Sequence, residues 1–154
     1  MTGFHVAQVN VGRIVAPLDG PELADFVAQL PEINALADHA PGFVWRLVDD
    51  GGADSTGLRP DDNDGRLLIN CSTWESVEAL EDFAYHTDHL RVLSRRREWF
   101  QRMEGPHQAL WWVPAGHRPS VAEAMERIAI LGERGSGPDA FTFRDRYPAP
   151  AAIS

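Results

Sequence analysis

Thr73-Trp74-Glu75-Ser76 leads into a helical run through His86 and His89, then Arg95-Arg96-Arg97-Glu98-Trp99-Phe100, and closes on Gly105-Pro106-His107-Gln108-Ala109-Leu110-Trp111-Trp112. The order is strand end, capped helix, Gly-Pro turn, strand. Thr73 or Ser76 can start the helix, and Glu75 suits its first turn. Val77, Leu80, Phe83, Ala84 and Thr87 form one helical stripe. Leu90, Leu93, Arg97 and Phe100 form a second, rotated stripe, so the run bends or breaks near residues 85–89. Gly105-Pro106 stops it.

Working outward, His5–Ile14 alternates with period two. Ala7, Val9 and Val11 share one face; Val6, Gln8 and Asn10 share the other. Asp19 or Gly20 caps a helix that carries Leu23, Phe26, Val27, Leu30, Ile33, Leu36 and Ala37 at helical spacing, with Pro31 as a kink. Phe43–Val48 reads as a strand in which Trp45 and Arg46 point to opposite faces. Residues 49–65 read as a surface loop. Arg66–Thr73 is a third strand, with Leu67, Ile69 and Cys71 on one face and Arg66, Leu68, Asn70 and Ser72 on the other. His107–Val113 is the fourth. Ser120 with Glu123 forms a capping box for a last helix through Leu131. Ala140-Phe141-Thr142-Phe143 reads as a short extended segment.

Strand, helix, strand, strand, helix, strand is the ferredoxin-like βαββαβ plan of an α+β protein. One domain is expected, with its core over about 4–115 and a C-terminal helix and extension over 119–147. On this plan both helices cover one face of the sheet. The face with Val6, Gln8, Asn10, Leu68, Asn70 and Ser72 is then left to pack against a second copy, which predicts a homodimer.

A net charge of −9 excludes the basic footprint of a nucleic-acid or anionic-membrane binder. The Arg95–Arg97 triplet reads as a solvated helix face. No apolar run approaches a membrane span, and no signal segment is visible. A single cysteine, Cys71, excludes an internal disulfide and a multi-cysteine zinc site, and is compatible with a cytoplasmic protein.

Thr73-Trp74-Glu75-Ser76-Val77-Glu78-Ala79-Leu80, Arg97-Glu98-Trp99-Phe100 and Leu110-Trp111-Trp112-Val113-Pro114-Ala115-Gly116-His117 resemble an uncharacterised bacterial family of the antibiotic-biosynthesis-monooxygenase-like superfamily. Ala140–Phe143 resembles its C-terminal motif, so the likeness runs from about His5 to Phe143. It implies a dimeric α+β barrel with a pocket between the sheet and its helices. It also implies a hydrophobic or aromatic small molecule as partner, with oxygenase or isomerase chemistry that needs no tightly bound cofactor.

Asn10, Asn70 and a histidine of the second helix form the candidate catalytic set. Amides orient a carbonyl or phenol, and a histidine moves a proton near neutral pH. The resemblance favours His89 over His86. Gln8, Trp45, Arg46, Trp74, Arg97 and Trp112 are candidate substrate contacts, although Arg46 and Arg97 can equally pair with acidic residues. His86 and His89 lie three apart but lack obvious further metal ligands, unless folding brings His107 or His117 near; no metal is expected. Haem-degrading relatives place a Trp and an axial His where this chain has Phe83 and Leu93, although Asn10 fits their pattern. A non-catalytic ligand-binding or assembly protein, and a haem-binding protein, are the alternatives. No phosphate loop and no Gly-x-Ser-x-Gly elbow is present.

Overall fold

The computed structural model describes residues 3–48, 66–86, 96–102 and 105–150. The elements are β1 (Phe4–Arg13), a 3-10 turn (Pro21–Leu23), α1 (Ala24–Asp38), β2 (Phe43–Arg46), β3 (Leu67–Trp74), α2 (Val77–His86), a short α3 (Arg96–Trp99), β4 (Gln108–Pro114) and α4 (Val121–Arg134). The strands form one antiparallel sheet in the order β2-β3-β1-β4. β1 and β3 are therefore central, and each strand–helix–strand connection skips over one neighbour. No described helix is long and apolar enough to cross a membrane.

Period-two alternation sorts the sheet into two faces. Ala7, Val9 and Val11 of β1 join Leu67, Ile69 and Cys71 of β3 and Ala109, Trp111 and Val113 of β4 in one buried cluster. α4 lies on this face, contributing Ala124 and Leu131. The opposite face carries Val6, Trp74 and Leu110, and packs against Ala37 of α1 and Val77, Leu80 and Phe83 of α2. The sequence reading had these faces reversed. α1 and α2 cover the face bearing the amides, and the C-terminal helix covers the wholly apolar one. The reason for expecting a second copy, an uncovered face, is therefore met within one chain.

Local chemistry accounts for the boundaries. Ser76, not Thr73, caps α2, since its Oγ accepts from Ala79 N–H at 3.1 Å; Trp74 stays in the strand. Phe100, expected at the end of the long helical run, is extended instead. It bridges Ile14, and Gln101 N–H donates to Arg13 O at 2.8 Å, continuing the edge of β1. Gly42 turns the chain from α1 into β2 at φ 82°, and a Cβ there would sit 2.5 Å from Cβ of Ala79, so both the backbone and the space require glycine. Only half of the expected capping box forms. Ser120 Oγ accepts from Glu123 N–H at 3.1 Å. The Glu123 carboxylate turns instead to Trp111 Nε1–H at 3.0 Å and to His117 Nε2 at 2.7 Å. Phe141 bridges Leu110 through hydrogen bonds in both directions, so the short extended segment tacks onto β4.

Cys71 lies beneath α4, where burial and, second, the Glu123 carboxylate push its thiol from 9.0 up to about 12. The folded protein thus keeps a proton that the unfolded chain releases near pH 9. That contribution to stability is complete below pH 9 and is lost as pH rises from there towards 12. Urea midpoints are expected to fall steadily above pH 9, and Cys71→Val is expected to flatten that fall; an unchanged slope in the variant counts against it. At pH 8 a thiol reagent such as DTNB is expected to label the native protein only as fast as it opens.

Candidate functional site

On the face beneath α1 and α2 the three neighbouring strands bring their polar residues into register. Asn10 stands opposite Asn70 on β3 and opposite Gln108 on β4, and Gln8 stands opposite Ser72. The edge strand adds Arg46 opposite Ser72 and Phe43 opposite Trp74. Phe43 and Arg46 are three residues apart and in a regular strand would face opposite ways. A register shift between Phe43 and Trp45 puts them on the same side.

Between this floor and the two helices lies a cavity of about 230 Å³. Its floor is Gln8, Asn10, Asn70, Ser72 and Gln108. Ile33 and Ala37 of α1 and Leu80, Phe83 and Ala84 of α2 form the roof. Phe43 meets Trp74 edge-on at 5.3 Å between ring centroids, and Phe83 stacks on Trp74 at 5.2 Å. Tyr85 and Phe143 close the wall in a T-shaped contact at 5.7 Å. Phe143 is held there from both sides. Phe141 is paired to β4, and Arg146 forms ion pairs with Glu78 and Glu81 of α2.

The floor is partly wired and partly open. Gln8 Nε2 donates to Asn70 Oδ1 at 2.7 Å and to Ser72 Oγ at 2.9 Å; Trp74 Nε1–H donates to the same Ser72 Oγ at 2.8 Å. The side chains of Asn10 and Gln108 make no hydrogen bond to any described residue. Polar groups lacking a protein partner are tolerated where water or a ligand can reach them. Among the described lining residues there is no carboxylate; Arg46, His107 and the phenol of Tyr85 bring the cationic or titratable groups. Arg46 is clamped by Asp38, with Nε to Oδ1 at 2.7 Å and Nη2 to Oδ2 at 3.3 Å.

The expected site residues fare differently. Gln8, Asn10, Arg46, Asn70 and Trp74 all line the cavity. Trp45 does not: it faces the other side of the sheet and packs on the cluster under α4. Trp112 shares the cavity's face but lies beyond it, with Nε1–H donating to Tyr147 O at 2.9 Å and its ring against Phe141. Arg97 sits exposed on α3, away from the cavity lining. His86 is the last residue of α2, and His89 lies outside the described residues. His107, weighed in the sequence only as a distant metal ligand, lines the cavity beside Gln108. Ser72, Asn34, Tyr85 and Phe143 also join it. Ser72 carried a signal, since the alternation of β3 puts it on the amide face. His107 carried none, because alternation would set it with Ala109 and Trp111 on the other face, and it lies just before β4. Phe143 carried none, because its place depends on how the C-terminal segment is tied down. Among the described residues no group of three or more His, Cys, Asp or Glu is placed to hold a metal ion.

A family model described as a domain of unknown function, DUF3291, matches residues 5–154. The chain belongs to that family. No curated protein matches it. Similar solved structures include the PA3566 protein of Pseudomonas aeruginosa, at 16% identity over 78% of this chain and 99% of that one, with a TM-score of 0.48. The NE2512 protein of unknown function from Nitrosomonas europaea matches at 12% identity over 76% and 96%, with a TM-score of 0.46. SnoaB, a cofactor-independent oxygenase from Streptomyces nogalater, matches at 18% identity over 75% and 95%, with a TM-score of 0.44. Likeness at this level transfers no activity to this member of the family.

Proposed function

We propose that the cavity under α1 and α2 is the site of a small-molecule enzyme. It binds a flat hydrophobic substrate of one or two rings and begins an isomerase or oxygenase reaction by removing a proton next to a carbonyl or phenol. The supporting observation is the pairing of aromatic walls with a floor of carboxamides in which Asn10 and Gln108 have no side-chain partner among the described residues. A volume of about 230 Å³ falls below the ~300 Å³ at which drug-sized sites begin, which sets the substrate size. Carboxamide N–H groups fixed on strands can stabilise the oxyanion that forms when the proton leaves. His107, which lines the cavity, is the candidate to take that proton; His89, favoured on the sequence resemblance, is the competing base.

Both reaction types share this first step, so a two-ring ketone tests it without knowledge of the substrate. 2-Tetralone in D₂O is expected to exchange its C1 hydrogens faster with the protein than without, as followed by NMR. Asn10→Leu is expected to reduce the exchange by about 100-fold, the usual effect of losing one oxyanion donor. His107→Gln and His89→Gln then identify the base. Binding without exchange leaves a ligand-binding protein. Absence of binding removes the cavity as a site.

A further inference from the structure

Two of the floor groups have a fixed polarity, and it limits the ligand more narrowly than size does. Gln8 commits both protons of its amide nitrogen, one to Asn70 Oδ1 and one to Ser72 Oγ. Its own Oε1 accepts from no described residue, yet it is not sealed away from solvent; of the described buried polar side-chain atoms, only Thr73 Oγ1 and Arg127 Nε are both enclosed and unpaired. Gln8 lines the cavity, so Oε1 is an acceptor offered there. Ser72 Oγ accepts two hydrogen bonds, from Gln8 and from Trp74 Nε1–H. With both lone pairs occupied, its hydroxyl can act only as a donor, and Ser72 also lines the cavity. The indole of Trp74, buried to 1% exposure, can only donate, so one lone pair of Ser72 Oγ is always taken by it.

We infer that the site reads a planar ring whose edge carries a neutral N–H or O–H donor beside a carbonyl acceptor, the donor meeting Gln8 Oε1 and the carbonyl meeting the Ser72 hydroxyl. A lactam or a hydroxy-ketone has this edge. A plain ketone satisfies only Ser72 and leaves the Gln8 carbonyl desolvated without a partner, a loss typically of about 1–3 kcal/mol. The inference rests on the proposed small-molecule site and adds the identity of the edge that it recognises.

The test is a fluorescence titration of the full chain with matched probes. 2-Quinolone is expected to bind at least 10-fold tighter than N-methyl-2-quinolone, which lacks the donor. Tropolone against its methyl ether, at a pH where tropolone is neutral, repeats the comparison with an O–H donor. A preference in either pair supports the inference and names the donor type. In Gln8→Met the ratio within the preferred pair is expected to fall to about 1–2. In Ser72→Ala both members are expected to weaken together with the ratio kept. A preference that survives Gln8→Met comes from the bulk of the added methyl and overturns the inference. So does equal binding of both members of both pairs by the unmodified protein, a result that needs no variant to fold. If 2-tetralone binds while neither pair is discriminated, the recognition rule fails and the site stands. If no probe binds, the site itself fails.

Discussion

Trp111→Ala is expected to destabilise the protein by about 3–5 kcal/mol, the usual cost of emptying a buried Trp site. Trp111 of the edge strand β4 is fully buried on the sheet face that α4 covers, in one cluster with Val9, Cys71 and Val113. Its indole also holds α4 from below, through the bond from Nε1–H to Glu123 Oε2 at 3.0 Å. Truncation therefore opens a cavity and removes a partner from a carboxylate that is already partly withdrawn from water. Guanidinium denaturation should show a lower midpoint with the slope unchanged. Trp111→Phe separates the two effects. It restores most of the volume and forfeits the hydrogen bond, so a loss nearer 1–2 kcal/mol is expected. A loss below about 1 kcal/mol for the alanine variant is incompatible with the packing described.

Trp74→Ala is expected to cost a comparable 3–5 kcal/mol and, unlike Trp111→Ala, to disturb ligand recognition as well. Trp74 is wedged between Phe43 and Phe83, so its removal takes the aromatic wall out of the cavity and lets the roof settle. The milder Trp74→Phe is more informative about the site. It keeps an aromatic ring against Phe83 but deletes the indole N–H that occupies Ser72 Oγ. One lone pair of Ser72 Oγ is then free to accept, so the hydroxyl no longer offers the cavity a donor alone and the polarity of the floor is blurred. Stability should fall by only about 1 kcal/mol while discrimination between 2-quinolone and its N-methyl analogue declines. Unfolding and titration of the same sample measure both. Full stability loss with unaltered discrimination would show that Trp74 serves packing alone.

The strand pattern was legible because alternation in β1 and β3 is strict. Val6, Gln8 and Asn10 share a face as expected, as do Leu67, Ile69 and Cys71. What alternation cannot say is which helices lie over which face. The all-apolar side looks like the natural seat for α1 and α2, and the side with Gln8, Asn10 and Asn70 looks like a contact surface. The assignment turned on the last helix, whose Ala124 and Leu131 complete the apolar side and so leave the amide side to the other two helices. That choice is made by long-range packing. Trp45 and Phe43 show a second limit. One extra residue at Val44 changes the phase of β2, and no local pattern marks the shift. Phe100 shows a third. Its helical spacing with Leu93 and Arg97 is present in the sequence, yet it bridges to Ile14, just past the end of β1 and far away along the chain.

β1 is made before both of its partners and sits second from the edge of the finished sheet, with β3 on one side and β4 on the other. Its partners begin at Leu67 and Gln108. At the usual pace of translation β4 follows β1 by on the order of 5–20 s. Until β3 is made the stretch from Val6 to Val11 has neither of its ladders, and until β4 follows it has only one. Completing the sheet must wait for β4 and close long loops, which makes folding slow for its size and exposes an apolar strand meanwhile. The nascent chain, more than the finished protein, is where this fold has most need of a chaperone.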